Sequence, residues 1–286
     1  MRARCLLVVA FLATACHKPD NGAIESIRTM DEDGRAWITI AAGEYTVGKQ
    51  DHSINPARKV TLASFRIAAT ETTNAQFRRF VESTGHVTDA EREGQSGFFL
   101  EGMVDWRWDT VEGADWRFPQ EPDQPGIEGK DDHPVTQISG ADARAYCDWL
   151  GARLPTIDEW EVAARGGGTT RYPWGDAFDT EQVNVWNGAN HFKNTLTDGH
   201  LYTAPVKSYP PNAWGLYDVI GNVFEYCESL PMAHQQRPKS ETESLIAGRG
   251  GSWWCSATTC QFYNVVDIGT MDHHASLHNQ GCRVVK

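Results

Sequence analysis

Eleven tryptophans scattered among 26 glycines and 13 prolines dictate an irregular, loop-rich domain pinned by large aromatic anchors. Each indole buries enough apolar surface to fix a loop, while frequent glycine and proline interrupt helices and strands. From residue 105 to 132, and again from 166 to 212, Gly, Pro, Asp and Trp recur without periodicity. Loops of that length inside one domain call for staples, and bound ions are good candidates. With 40% hydrophobic residues, the 286-residue chain can bury one large core or at most two small ones.

Short regular elements are still legible. Trp37-Ile-Thr-Ile40, Glu44-Tyr-Thr-Val-Gly48, Lys59-Val-Thr-Leu62 and Phe65-Arg-Ile67 alternate as strands do. Three helices carry start signals: Thr73 with Gln76, Ser139 with Asp142, and Thr156 with Glu159 after Pro155.

The first residues read as an address. Arg2 and Arg4 precede a short apolar run, Leu6 to Leu12, then Ala13-Thr14-Ala15-Cys16. This is a signal-peptide layout over residues 1–15, with Cys16 placed for lipidation as in bacterial lipoproteins. Ordinary cleavage nearby would leave Cys16 incidental. Residues 16–34 then form a polar tether, and 35–286 a single domain. The expected location is exported and periplasmic, with the membrane reached only through that lipid anchor. A net charge of −12 without a Lys/Arg cluster excludes nucleic acid as the expected partner and favours cations or cationic substrates.

Export also permits disulfides. Cys255 and Cys260, in Gly250-Gly251-Ser252-Trp253-Trp254-Cys255-Ser256-Ala257-Thr258-Thr259-Cys260, can point at one soft metal ion. Thiolates favour Cu(I), zinc and iron–sulfur clusters over Mg²⁺ or Ca²⁺. A structural disulfide suits the same spacing. So does a zinc clamp, since Cys255-x4-Cys260-x12-His273-x4-His278 fits a two-cysteine, two-histidine pattern with His274 close by.

A series of motifs carries a resemblance. Arg153-Leu-Pro-Thr-Ile-Asp-Glu-Trp-Glu161, Ala163-Ala-Arg-Gly-Gly167, Tyr172-Pro-Trp-Gly175, Pro210-Pro-Asn-Ala-Trp-Gly-Leu-Tyr217, Gly221-Asn-Val-Phe-Glu225 and Arg249-Gly-Gly-Ser-Trp253 resemble the formylglycine-generating enzyme (sulfatase-modifying factor) family. Gly113-Ala-Asp-Trp-Arg117 and Asp132-His-Pro-Val135 fit as well, in order from about Trp37 to Arg283. The resemblance implies an α+β, modified C-type-lectin-like fold with little regular structure. It implies a copper-dependent oxidase that uses O₂ to convert a cysteine in an unfolded, sulfatase-like polypeptide segment to Cα-formylglycine. Cys255 and Cys260 match the family's copper ligands, and Ser252 its pocket serine. Asn184, the carbonyl of Val185, Asp198 and the carbonyl of His200 match one calcium site. Asp218, the carbonyls of Gly221 and Val223, and Glu225 match another. Cys147 matches a half-cystine whose partner would shift to Cys282, and Cys227 stands as a buried free thiol.

One stretch departs from the family pattern. Residues 261–283 lack the arginine-rich strand expected there, with Asn264 and Ile268 near the arginine positions and Asp267 new. That segment lines the substrate cleft in the family, so the usual Cys-x-Pro-x-Arg target is in question. A non-catalytic periplasmic binding or accessory module of the same fold is the alternative, with Cys255–Cys260 as a disulfide or zinc clamp.

Overall fold

In the computed structural model, residues 28–31, 34–103, 108–120 and 122–286 are described, so the expected export signal and Cys16 lie outside the described residues. The chain begins with β1 (Arg28–Met30), β2 (Ala36–Ile40), β3 (Gly43–Val47), β4 (Arg58–Leu62) and β5 (Phe65–Ala68). The four strands expected from alternation are β2 to β5. β1 is a correction, because residues 16–34 were expected to be tether. It pairs antiparallel with β2, placing Thr29 opposite Trp37. All three β1 side chains are exposed, so its order comes from backbone pairing that composition does not reveal. β2 also pairs with β5, and β3 with β4.

Next come α1 (Asn74–Thr84), α2 (Asp89–Glu93), the β6 (Gln95–Phe98) and β7 (Asp109–Glu112) pair, α3 (Gly140–Leu150) and α4 (Ile157–Arg165). Every one of these helices starts with a reciprocal capping box, on Thr73, Thr88, Ser139 and Thr156. The cap hydroxyl accepts from an N–H of the first turn, which has no partner inside the helix. Residues 166–223 hold a single 3₁₀ turn, Thr180–Gln182, as their only helix or strand. The last elements are β8 (Phe224–Cys227), α5 (Met232–Gln235), α6 (Lys239–Thr242), β9 (Leu245–Arg249), β10 (Gly269–Asp272) and β11 (Gln280–Gly281). They build a sheet in the order β10-β9-β8-β11, with β11 parallel to β8.

Loops are pinned as the tryptophan content demands: Trp37, Trp116, Trp160, Trp253 and Trp254 are buried. A buried carboxylate does similar work. Glu161 of α4 accepts from the Gly48 N–H, Asn55 Nδ2, Arg165 and Arg249 Nη2, which ties the end of β3 and β9 to one point. Burial pushes its carboxyl up, but Arg249 and Arg165 outweigh burial and hold it below the ordinary range. The C-terminal residues add a further seam. Val284 O accepts from the Ala68 N–H, and Val285 exchanges backbone bonds with Arg153.

Cys147, Cys227 and Cys282 are free, buried thiols. This agrees with the expectation for Cys227 and corrects the expected Cys147–Cys282 disulfide. The Cys282 thiol donates to Thr72 Oγ1 at 3.5 Å, and burial pushes its pKa up to about 12. Cys147 is likewise raised by burial, so both thiols stay protonated in one apolar cluster.

Candidate functional site

Beyond β9, Gly250 and Gly251 turn the chain with φ of 86° and 75°. A Cβ on Gly250 would meet the Val219 carbonyl at 2.7 Å, and one on Gly251 the Tyr263 backbone at 2.7 Å, so only glycine fits. The turn delivers Ser252, Trp253, Trp254 and Cys255 into the interior, all buried. Cys255 and Cys260 have Cα atoms 4.3 Å apart and their sulfurs are joined as a disulfide. The two sulfurs thus converge on one point, and a soft metal there requires the pair to be reduced.

The Ser252 N–H donates to Cys255 Sγ at 3.4 Å, and Ser252 Oγ lies 3.9 Å from the same sulfur. Asn279 Nδ2 in turn donates to Ser252 Oγ at 3.0 Å, while the buried Asn279 Oδ1 has no hydrogen-bond partner. Nothing in the sequence singles out Asn279; only the fold brings it to Ser252.

Asn279 opens on a groove of about 350 Å³ walled by Phe99, Trp108, Phe262, Met271 and Leu277. A second lobe of about 470 Å³ shares Phe262 and Thr270 and runs past Thr259 and Gln261 to His52 and Asp267. Residues 261–283 therefore supply much of the groove wall. Asp267 accepts from His52 Nε2 at 2.7 Å and from Asn264 Nδ2 at 2.6 Å. The Asn55 N–H donates to His52 Nδ1, which keeps the imidazole proton on Nε2, facing Asp267.

The oxygen sites have their own signature. Asn184 Oδ1, Asp198 Oδ2 and Asp218 Oδ1 are buried without a hydrogen-bond partner. Hard cations take such oxygens, so the residues fit calcium. Gly221 bridges to Asn184 through the backbone, which sets the two expected ligand groups side by side. The Val185 carbonyl accepts from Asn187 Nδ2 at 2.8 Å, the His200 N–H donates to Asp198 Oδ1, and Val223 is buried beside them. Burial raises the Asp198 carboxyl, and burial with Glu225 close by pushes Asp218 up to about 6. Glu225 departs from the expected role. Arg283 grips both its oxygens, at 2.7 and 2.9 Å, and Trp160 Nε1 donates to Oε2 at 2.7 Å. Glu71, which no motif marks, joins it by holding Asn222 Nδ2 and the Val223 N–H. Burial, Asp218 and Glu225 raise Glu71 well above the usual carboxylate range. Three buried carboxylates around one guanidinium leave negative charge for a cation to neutralise.

A zinc clamp is not assembled. Among the described residues, no group of three or more His, Cys, Asp or Glu side chains is placed to hold a metal. His273 meets Arg144 Nη1 at 2.9 Å and His274 meets Asp89 Oδ2 at 3.2 Å. His278 stacks on Phe98 with ring centroids 4.0 Å apart, and burial lowers its pKa to about 3. His273 and His274 are thus paired elsewhere, and His278 is held by its stack and by the Phe99 N–H on Nδ1, with Nε2 buried and unpartnered.

The family model for the sulfatase-modifying factor enzyme 1-like domain matches residues 25–286. The chain belongs to this family. It is 36% identical over 302 residues to the formylglycine-generating enzyme of Streptomyces coelicolor, covering 95% of this chain and 96% of that one. It is also 39% identical over 214 residues to the inactive C-alpha-formylglycine-generating enzyme 2 of Bos taurus, covering 69% and 68%. The solved structure of PvdO from Pseudomonas aeruginosa superposes with a TM-score of 0.69 at 21% identity, over 91% of this chain and 98% of that one. That likeness bears on the fold alone. The sulfatase-modifying-factor domain is thus α+β with few regular elements, as its motifs imply. Membership includes relatives named as enzymes and relatives named as inactive, so activity has to be argued from Ser252, Cys255, Cys260 and Asn279.

Proposed function

We propose that this sulfatase-modifying-factor domain oxidises a cysteine of an exported, sulfatase-like polypeptide to Cα-formylglycine, using O₂ and Cu(I) held by Cys255 and Cys260. One observation carries the reading: two convergent buried sulfurs, linked through Ser252 to Asn279, which lines a groove of about 350 Å³. Copper would supply binding of the substrate sulfur and activation of O₂. The groove aligns the peptide, Asn279 Oδ1 offers an acceptor to a substrate N–H, and the buried walls keep bulk water from the sulfur. Overall, CH₂–SH, O₂, two electrons from a thiol reductant and two protons give CHO, H₂S and water. We assign Ca²⁺ to the unpartnered oxygens of Asn184, Asp198 and Asp218, with the backbone carbonyls of Val185, His200, Gly221 and Val223, as a structural cofactor. Residues 1–15 act as export signal in this proposal, with Cys16 lipidated at a bacterial membrane.

Reduced, copper-loaded protein should convert a cysteine peptide, read by mass spectrometry as the exchange of CH₂–SH for CHO. No conversion of any cysteine peptide would end the enzyme reading. The Cys255–Cys260 disulfide favours a second reading, a non-catalytic binding module. Thiol counting before and after reductant separates them, because the module predicts a bond that resists mild reduction and no Cu(I) uptake afterwards.

A further inference from the structure

The loop between Asn184 and Asp198 does more than present oxygens, because it runs along the cysteine loop. The Trp186 N–H donates to the Cys255 carbonyl at 2.9 Å. His191 Nε2 lies 2.7 Å from the Trp254 carbonyl, and the Thr259 hydroxyl lies 3.2 Å from His191 Nδ1. Trp254 and Thr259 are the residues just before Cys255 and Cys260. The His191 ring also stacks on Trp254, with centroids 4.0 Å apart, and packs against Trp186 at 4.8 Å. Its own carbonyl accepts from the Gly102 N–H, which fixes the segment following Phe99 of the groove wall.

We propose that His191 is a positioning residue that holds Cys255 and Cys260 at the separation and orientation one soft ion needs. This rests on the copper reading above. Between the cysteines the chain has few anchors: Ala257 and Thr258 are exposed, and the Ser256 hydroxyl bonds only within the loop. Once the disulfide opens, no covalent link keeps the sulfurs together. A proton on Nε2 donates to the Trp254 carbonyl, which leaves Nδ1 to accept from Thr259, so one imidazole grips both approaches. Groups behind metal ligands commonly set affinity in this way.

The test uses His191→Phe, which keeps the ring stack and removes both polar contacts, and His191→Gln, which retains a donor. In metal-free protein, the Cys255–Cys260 thiol–disulfide equilibrium against glutathione should move about tenfold toward the dithiol in His191→Phe. Cu(I) affinity, read by competition with a chromophoric chelator, should fall about tenfold, with His191→Gln recovering most of both. Wild-type values for both quantities in His191→Phe would overturn the proposal. If that variant fails to fold, Thr259→Val at a half-buried position should show about a threefold shift, and no shift there overturns it equally. Should the wild type bind no Cu(I), the copper reading fails, while the metal-free equilibrium still decides the role of His191.

Discussion

Ser252, Asn279 and the two cysteines form a relay of contacts from groove to sulfur, and each link can be cut singly. Cys255→Ser and Cys260→Ser should each abolish stoichiometric Cu(I) binding and oxygen consumption while circular dichroism stays native. Undiminished turnover in Cys260→Ser would sink the mechanism. Asn279→Ala should lower kcat/KM by about 10²-fold, because it removes the donor to Ser252 Oγ and the free acceptor on the groove at once. Asp267 belongs to the same scale. With Asp267 and Asp272 lining the two lobes and no Lys or Arg among the described lining residues, peptides with basic residues near the cysteine should react faster than neutral ones. A standard Cys-x-Pro-x-Arg peptide should be slow, and Asp267→Asn should narrow the preference; equal rates for all peptides would refute it. Spacing showed only that Cys255 and Cys260 could meet, as a disulfide or around a soft metal; the copper role came from the family resemblance, and the fold joins the pair as a disulfide. Asn279, Glu71 and His191 were not, since a buried amide, carboxylate or imidazole acquires meaning only from what the fold sets against it.

Helix starts read correctly because a capping box is a local device, closed within four residues. α2 has the same Thr88–Glu91 box, yet five residues leave no apolar stripe to support it. β1 escaped because its partner β2 is what orders it. Caps also allow a graded prediction. Ser139→Ala should cost about 2 kcal/mol, read by chemical denaturation, because its buried hydroxyl binds both Asp89 and Asp142. Thr88→Ala should cost about 1 kcal/mol. On α4, Glu161→Ala would strand Arg249 and Arg165 in the interior and should cost about 3–5 kcal/mol. A loss under 1 kcal/mol would show that water reaches those guanidinium groups.

For the whole molecule, the buried Glu71–Asp218–Glu225 cluster should make stability depend on pH, and the proposed Ca²⁺ at Asp218 should couple that dependence to calcium. In metal-free protein, Asp218 titrates near 6 against its ordinary 3.8, and Glu71 shifts the same way. The folded state then keeps protons that the unfolded chain has released, so this contribution is lost as pH rises through that window. Calcium should raise Tm strongly at about pH 7 and little at about pH 4. Asp218→Asn should stabilise the chelated protein at neutral pH and remove most of calcium's effect; a calcium response that ignores both would vacate the site. The guanidinium that grips this cluster, Arg283, is made 58 residues after Glu225. At roughly 5–20 residues per second, a growing chain has made all three carboxylates about 3–12 s before Arg283. Val284 and Val285, which join β5 to Arg153, arrive later still. A chain stalled at Gln280 should stay protease-sensitive, because the groups that neutralise this cluster and join β5 to Arg153 come from residues 283–285.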